Sequence, residues 1–252
     1  MKTDAEPEAM SVETSIIVRT FNEEKHLGNL FDGFDRQTYR DFEVIVVDSG
    51  SFDRTRNIAT KRADKLIRIN SHDFTFGYSL NQGIREARGQ FVVMVSAHTI
   101  PDRETWLETL LRPLRDSDVA MTYGRHLGVR CSKFGEVEDF DRLFGPSPRT
   151  GHPSRLTVNN ANSAIKKELW EQEPFDEVLT GLEDIAWAKH WMEKGYRVIY
   201  EPEAALYHIH EETWRQIRHR FYREAVAARR IGIKSRTSFV GDAADDIIHT
   251  AT

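Results

Sequence analysis

Four groups of side chains have the types and spacing to act on a ligand. Ser96 and His98 follow the unbroken apolar run Phe91–Val95. In a near-extended segment residues two apart point the same way, so both would face whatever lies past the end of that run. Asp48 stands in Val47-Asp-Ser-Gly-Ser51, where a carboxylate can accept from a base N–H or a ribose hydroxyl while Gly50 lets the chain turn closely. The same residues can equally form an Asx-turn that holds no ligand. Glu183 and Asp184 are adjacent carboxylates. One of them, at the rim of a crevice, can take the proton of an attacking hydroxyl, although the macrodipole also favours acidic residues in any first helical turn. His208-Ile-His210-Glu211 sets two imidazoles on one side of a strand. They can bind a metal, one can contact phosphate, or both can be hydrogen-bonded only.

The hydrophobic pattern supplies elements to position these groups. Strands are expected at Ser15–Arg19, Phe42–Val47 and Lys65–Ile69, and each is followed by a helical pattern. Asn22 is placed to cap the first helix, with Leu27, Leu30, Phe31 and Phe34 on its apolar face, and Asp53 the second, which runs to about Arg62. A third helix carries Leu80, Ile84 and Ala87 with Gly89 as its C-cap, and Phe91–Val95 is a buried strand stopped by Pro101. Asp102 then caps a helix with Trp106, Leu107, Leu110 and Leu111, and Val119–Tyr123 is a further strand. Such alternation predicts an α/β fold with a Rossmann-like, mainly parallel sheet flanked by helices. In open sheets of this kind the ligand crevice lies past the carboxyl ends of the strands, where Asp48, Ser96 and His98 stand.

Beyond Gly124 the pattern lapses until about Thr157, a length usually functional or disordered. Order returns at Val158–Ile165, a short helix at Lys167–Gln172, a helix introduced by Thr180–Asp184, and strands at Val198–Tyr200 and Ala205–His208. A basic amphipathic helix spans about 213–231, with Trp214, Ile217, Phe221, Ala225 and Ala228 on one stripe. Its arginines suit an anionic membrane surface or phosphates, or are simply solvated. The expected organisation is an acidic lead-in at 1–13, one domain over 14–233, and a loose tail at 234–252. Within the domain, 14–123 forms the nucleotide half and 124–212 the acceptor half, followed by the helix at 213–233.

Composition narrows the classes. The chain of 252 residues has 39% hydrophobic residues, including 14 Phe, 7 Tyr and 5 Trp, enough for a substantial core. A net charge of −5 gives no general reason to bind nucleic acid. The single cysteine, Cys131, excludes an internal disulfide and a multi-cysteine metal site. The acidic opening residues carry no apolar run, so neither a secretory signal nor a membrane span is expected. A cytoplasmic protein is anticipated, peripheral to the inner membrane face if the basic helix docks there. Self-association into a homo-oligomer stays open.

The order of motifs resembles the family 2 glycosyltransferases, which carry the GT-A fold. The matching stretches are Val18-Arg-Thr-Phe-Asn-Glu23, Val46-Val-Asp-Ser-Gly-Ser-Phe-Asp53, Phe76-Gly-Tyr-Ser-Leu-Asn-Gln-Gly83, Ala87-Arg-Gly89, Asn160-Ala-Asn-Ser-Ala164, Gly181-Leu-Glu-Asp184 and Tyr207-His208. They are most similar to the bacterial rhamnosyltransferase-like branch and cover residues 14–233. The resemblance implies inverting transfer of a sugar from a nucleotide-diphosphate donor to a hydroxyl of a glycan or lipid-linked acceptor, in polysaccharide or glycoconjugate assembly. It implies Asp184 as the base, with Glu183 beside it. It places Thr20, Asn22, Glu23, Asp48, Ser51, Asn81, Ser96 and His98 on the donor side. His208 and Arg223 fall at the leaving group, and Asn162 and Trp187 on the acceptor side.

One departure stands out. The family's Asp-x-Asp, which holds ribose and a divalent metal, aligns with Ser96-Ala97-His98. Imidazole in place of carboxylate weakens a Mg²⁺ site, whereas Mn²⁺ accepts imidazole and could take His98, His208 and the diphosphate. Alternatively His98, His208 and an arginine such as Arg223 stabilise the leaving group without metal. Competing functions are a nucleotidyltransferase, against which the acidic Arg19–Glu24 loop speaks, and a catalytically inactive sugar-nucleotide-binding protein.

Overall fold

Runs of β-branched and apolar residues become the central strands because helices cover both faces of the sheet. The computed structural model describes residues 12–128, 144–147, 149–150, 157–209 and 213–233. Most of the lead-in, much of 124–157, His210, Glu211 and the tail lie outside them. Strands β1 (Thr14–Thr20), β2 (Phe42–Asp48), β3 (Lys65–Arg68) and β4 (Phe91–Ser96) are parallel in the order β3-β2-β1-β4. Helices α1 (Leu27–Asp35), α2 (Thr55–Arg62) and α3 (Phe76–Arg85) make the crossovers.

Period-2 alternation divides the core. Ile16, Val18, Val44, Val46, Val93 and Val95 pack with residues of α1 and α4 (Trp106–Leu111). Ile17, Ile45, Val47, Val92 and Met94 pack on the other face, with residues of α3, α5 (Lys167–Gln172) and α6 (Glu183–Glu193). The sheet continues from β4 through antiparallel β8 (Asn162–Lys166) to β6 (Val119–Leu127) and β9 (Arg197–His208). The short strands β5 (Thr99–Pro101) and β7 (Arg149–Thr150) also pair with β9. Helix α7 (Trp214–Arg230) closes the described chain, with Thr213 and Gln216 forming a reciprocal capping box.

Several expectations are corrected. Asn22 does not cap α1, which begins at Leu27; it holds a left-handed φ of 55°, and its Oδ1 accepts from the Phe52 N–H at 3.0 Å, tying two loops together. Gly89 is not a helix C-cap, since α3 ends at Arg85. A Cβ there would stand 2.5 Å from the Thr14 carbonyl carbon, so glycine permits a close backbone approach. Asp102 does not cap α4; it is hydrogen-bonded to the Tyr207 hydroxyl and holds that phenol's pKa above its ordinary value. Pro101 does not stop the strand region but lies in β5, at the sheet edge where proline is tolerated. The two strands expected near the end are one, β9, with a register shift against β6 that accommodates Pro202. On α7 the proposed stripe splits: Ile217 and Ala228 are buried while Trp214 is 75% exposed.

At the amino ends of the strands, Glu43 is buried in a polar cluster. Its Oε1 accepts from the Ser15 hydroxyl at 2.7 Å and the Arg88 N–H at 2.8 Å, and its Oε2 from Arg88 Nε at 2.8 Å. Burial pushes the carboxyl upward, but the Ser15 and Arg88 bonds outweigh it and leave the pKa lowered. Glu43→Gln should cost about 1–3 kcal/mol at neutral pH by urea unfolding. A lowered folded-state pKa stabilises above the unfolded value and is lost as pH falls through the folded one, so the deficit should shrink below about pH 4. A deficit unchanged across that range would refute a charged role for Glu43.

Candidate active site

The carboxyl ends of β1, β2 and β4 lie side by side, with Thr20 opposite Asp48 and Arg19 opposite Ser96. Asp48 is buried, and its Oδ1 accepts from the Ser51 N–H at 3.1 Å and the Gly50 N–H at 3.3 Å. Gly50 makes that turn with a φ of +97°. The Asx-turn therefore uses one oxygen; Oδ2, like the neighbouring Thr20 Oγ1, is buried with no hydrogen-bond partner among the described residues. A buried acceptor beside a buried hydroxyl costs free energy until a ligand satisfies it. Ser51 is a loop brace, its Oγ accepting from the Asn22 N–H at 2.8 Å.

Ser96 closes β4, and the chain turns at Ala97 and His98 into β5. Because Thr99 pairs with His208, the imidazoles of His98 and His208 stack, with centroids 5.0 Å apart and planes 16° from parallel. His98 Nδ1 is 2.7 Å from Glu23 Oε1, and His208 Nδ1 is 2.9 Å from Nδ1 of His126, a fully buried residue of β6. Facing Nδ1 atoms require one proton between them, so the tautomers of His126 and His208 are coupled. Sequence reasoning missed His126, which joins the others only because β6 and β9 pair.

Glu183 and Asp184 open α6, directly after Leu182, which holds a left-handed φ of 61°. Asn160 bridges the carboxylates: its N–H donates to Asp184 Oδ2 at 3.1 Å and its Nδ2 to Glu183 Oε1 at 3.2 Å. Ser163 Oγ in turn donates to Asn160 Oδ1 at 3.0 Å. Facing them, Arg19 sets its guanidinium carbon 4.9 Å from the Phe76 ring centroid, and Arg223 of α7 sets its own 5.2 Å from the same ring. Burial lowers the Arg19 pKa, and the charges of Glu183 and Asp184 offset that in part. Arg19 lies inside a matching motif, yet nothing in its local sequence distinguishes it from a solvated strand-end arginine.

Three expected ligand residues are instead packing residues. Asn81 is buried, donating to the Phe175 carbonyl and Glu177, and accepting from the Trp170 indole and the Phe175 N–H. Asn162 accepts from the Trp106 indole and donates to the Arg125 and Ala204 carbonyls, while Trp187 donates to the Glu173 carbonyl within an aromatic cluster. Their amide and indole groups are satisfied inside the fold, and Asn160, two residues away, meets the carboxylates.

A divalent cation, as the Asp-x-Asp position implies, draws on one or two protein ligands together with phosphate oxygens and water, or on a fuller cluster of protein groups. His98 and His208 each have Nδ1 engaged, and among the described residues no three His, Cys, Asp or Glu converge on a point. The described residues by themselves therefore build no three-ligand cation site. Around Asn160, by contrast, the polar network is closed. Asn160→Ala should cost about 1–3 kcal/mol in urea unfolding by stranding Glu183 and Ser163. Asn160→Asp should cost more, because it adds a like charge beside two carboxylates; the reverse order would show that the carboxylates are not both ionised.

Comparison with known proteins agrees with this geometry. The profile for Glycosyl transferase family 2 matches residues 15–153. The O-antigen chain rhamnosyltransferase WbaN of Salmonella anatum is 26% identical over 219 residues, covering 82% of this chain and 70% of that relative. The mannosyltransferase PcManGT of Pyrobaculum calidifontis, solved with GDP-Man and Mn²⁺, superposes with a TM-score of 0.66 at 23% identity. That match covers 88% of this chain and 65% of PcManGT. S. aureus TarS in complex with UDP-GlcNAc gives 0.63 at 20% identity, over 80% of this chain and 59% of that one. By its profile and its shared architecture, the chain belongs to glycosyl transferase family 2 and has the GT-A fold.

Proposed function

We propose that this glycosyltransferase moves a sugar, with inversion, from a nucleotide-diphosphate sugar to a hydroxyl of a growing glycan or lipid-linked acceptor. The observation that carries the reading is the carboxylate pair at the start of α6, held by Asn160 beside Arg19, while the next residue of β1, Thr20, and its strand partner Asp48 carry the unsatisfied oxygens. In this reading Asp48 and Thr20 meet the nucleoside. The acceptor oxygen attacks the anomeric carbon, the bond to the diphosphate oxygen breaks on the opposite side, and the hydroxyl proton passes to Asp184. The nucleoside diphosphate departs with the bonding electrons. Asp184 is 9% exposed, reachable yet largely shielded from water, as suits a general base. Glu183, more deeply buried and bonded to the Asn160 side chain, positions its neighbour. A polysaccharide acceptor is supported by the O-antigen rhamnosyltransferase relative. The Mn²⁺ or Mg²⁺ that the family implies has no three-ligand site among the described residues, and no step is assigned to it. Neither the nucleotidyltransferase nor the inactive-protein reading gains an observation in its favour.

The acceptor suggests a place for the enzyme. Among the described residues no helix is long and apolar enough to cross a membrane. On α7, Trp214, Arg218, Tyr222 and Val226 recur every four residues on an exposed stripe, while Ile217, Ala227 and Ala228 face inward. Interfacial aromatics with arginines match an anionic lipid surface.

Two outcomes are expected. Asp184→Asn should lower turnover by about 10²–10⁴-fold while nucleoside diphosphate affinity, read by calorimetry, stays within a few-fold; undiminished turnover would refute the base. In flotation assays the protein should bind vesicles containing phosphatidylglycerol more than neutral phosphatidylcholine vesicles, and Tyr222→Ser with Arg218→Glu should weaken that binding. Equal recovery with both vesicle types would reject the docking face.

A further inference from the structure

We infer that Arg19 and Arg223, stacked on Phe76, form a protein-built cationic clamp for the diphosphate of the donor. The inference rests on the nucleotide-sugar reading above and adds the positive charge that a metal held by the missing carboxylates would otherwise supply. Three observations meet there. First, both guanidinium carbons lie within 5.2 Å of one ring centroid, although Arg19 comes from the end of β1 and Arg223 from α7. Two like charges held over one ring repel each other, and an anion between them turns that repulsion into attraction. Second, the Nε of each arginine is buried with no hydrogen-bond partner among the described residues. Third, Arg19 is paired with Ser96, the position where the family carries its first aspartate. An aspartate at 96 would share that sheet face with the guanidinium; serine leaves the positive charge without that counterion.

The ring's role is mechanical as well as electrostatic. Phe76 is the first residue of α3 and meets Phe74 edge to face at 5.2 Å, so its plane is set by the helix start and a neighbouring ring. A guanidinium lying on it loses little further freedom when it binds phosphate, and its planar fork matches phosphate oxygens. Glu183 and Asp184 supply the opposing charge that makes a partly desolvated Arg19 tolerable before the donor arrives. Positive charge fixed in advance where the leaving diphosphate gathers negative charge stabilises the transition state without reorganisation.

The decisive measurement is calorimetric titration in EDTA with UDP, dTDP, GDP and the matching monophosphates, on wild type, Arg19→Met, Arg19→Lys and Arg223→Met. The clamp predicts that each methionine variant loses about 10–100-fold in affinity for the preferred diphosphate, as for a lost charge-assisted hydrogen bond. Monophosphate affinity should fall less, and Arg19→Lys should restore part of the loss. If Arg19→Met does not fold, Phe76→Leu, which loosens both guanidiniums, should weaken diphosphate binding in the same direction. If Arg19 merely neutralises the base, Arg19→Met will shift the pH profile of turnover upward and leave diphosphate affinity unchanged, which overturns the clamp. Wild-type affinity for diphosphate that appears only with Mn²⁺ also overturns it. No binding of any nucleotide under either condition would instead remove the nucleotide-sugar reading on which the clamp rests.

Discussion

Pairing of β1 with β2 on one side and β4 on the other sets the geometry on which the crevice depends. The three strands end at nearly one level, with Thr20 beside Asp48 and Arg19 beside Ser96. Since side chains alternate between faces, consecutive residues of β1 serve different sides of the sheet. Thr20 joins Asp48, and Arg19 joins Phe76 and the carboxylates. A slip of one residue in this register would exchange the two, and with them the charge distribution of the site. The hydrophobic interiors of these strands, fully buried on both faces, hold the register firmly.

Burial and charge oppose one another throughout the site. Isolated charges in a low-dielectric environment are costly, and several here have a named counterweight. Asn160 gives Asp184 and Glu183 donors, the carboxylates balance Arg19, Glu23 meets His98, and His126 pairs with His208. Among the described residues, Asp48 Oδ2, Thr20 Oγ1 and the Nε groups of Arg19 and Arg223 are buried atoms without a hydrogen-bond partner at the proposed donor path; His190 Nε2 and Trp191 Nε1 share that condition elsewhere. In a native protein, buried polar atoms left unmatched at a crevice are more informative than those that are matched.

Helix α7 connects this chemistry to the outside. Its inner side delivers Arg223 to Phe76, and the Thr180 hydroxyl anchors it by donating to the Arg223 carbonyl at 3.0 Å. Its outer side carries Trp214 and Tyr222. Helical periodicity found the helix but assigned Trp214 and Ile217 to one stripe. Packing separated them, because the body of the protein covers only a narrow arc of the helix.

Sequence alone determined the alternation of the first four strands with their helices, the parallel half of the sheet, the carboxylates at the start of α6, the strand-end positions of Asp48 and Ser96 and the place of His98 just beyond. Those features follow from local periodicity and from motif order, which are properties of nearby residues. Tertiary structure decided which polar side chains face the ligand. Asn81, Asn162 and Asn160 are the same residue type in similar motifs, yet only Asn160 meets Glu183 and Asp184, while the other two secure core turns and strands. The joining of His126 to His208, and of Arg19 to Arg223, likewise depends on contacts between segments distant in sequence. Periodicity can say which face a side chain occupies, but only the packed fold says what stands opposite it.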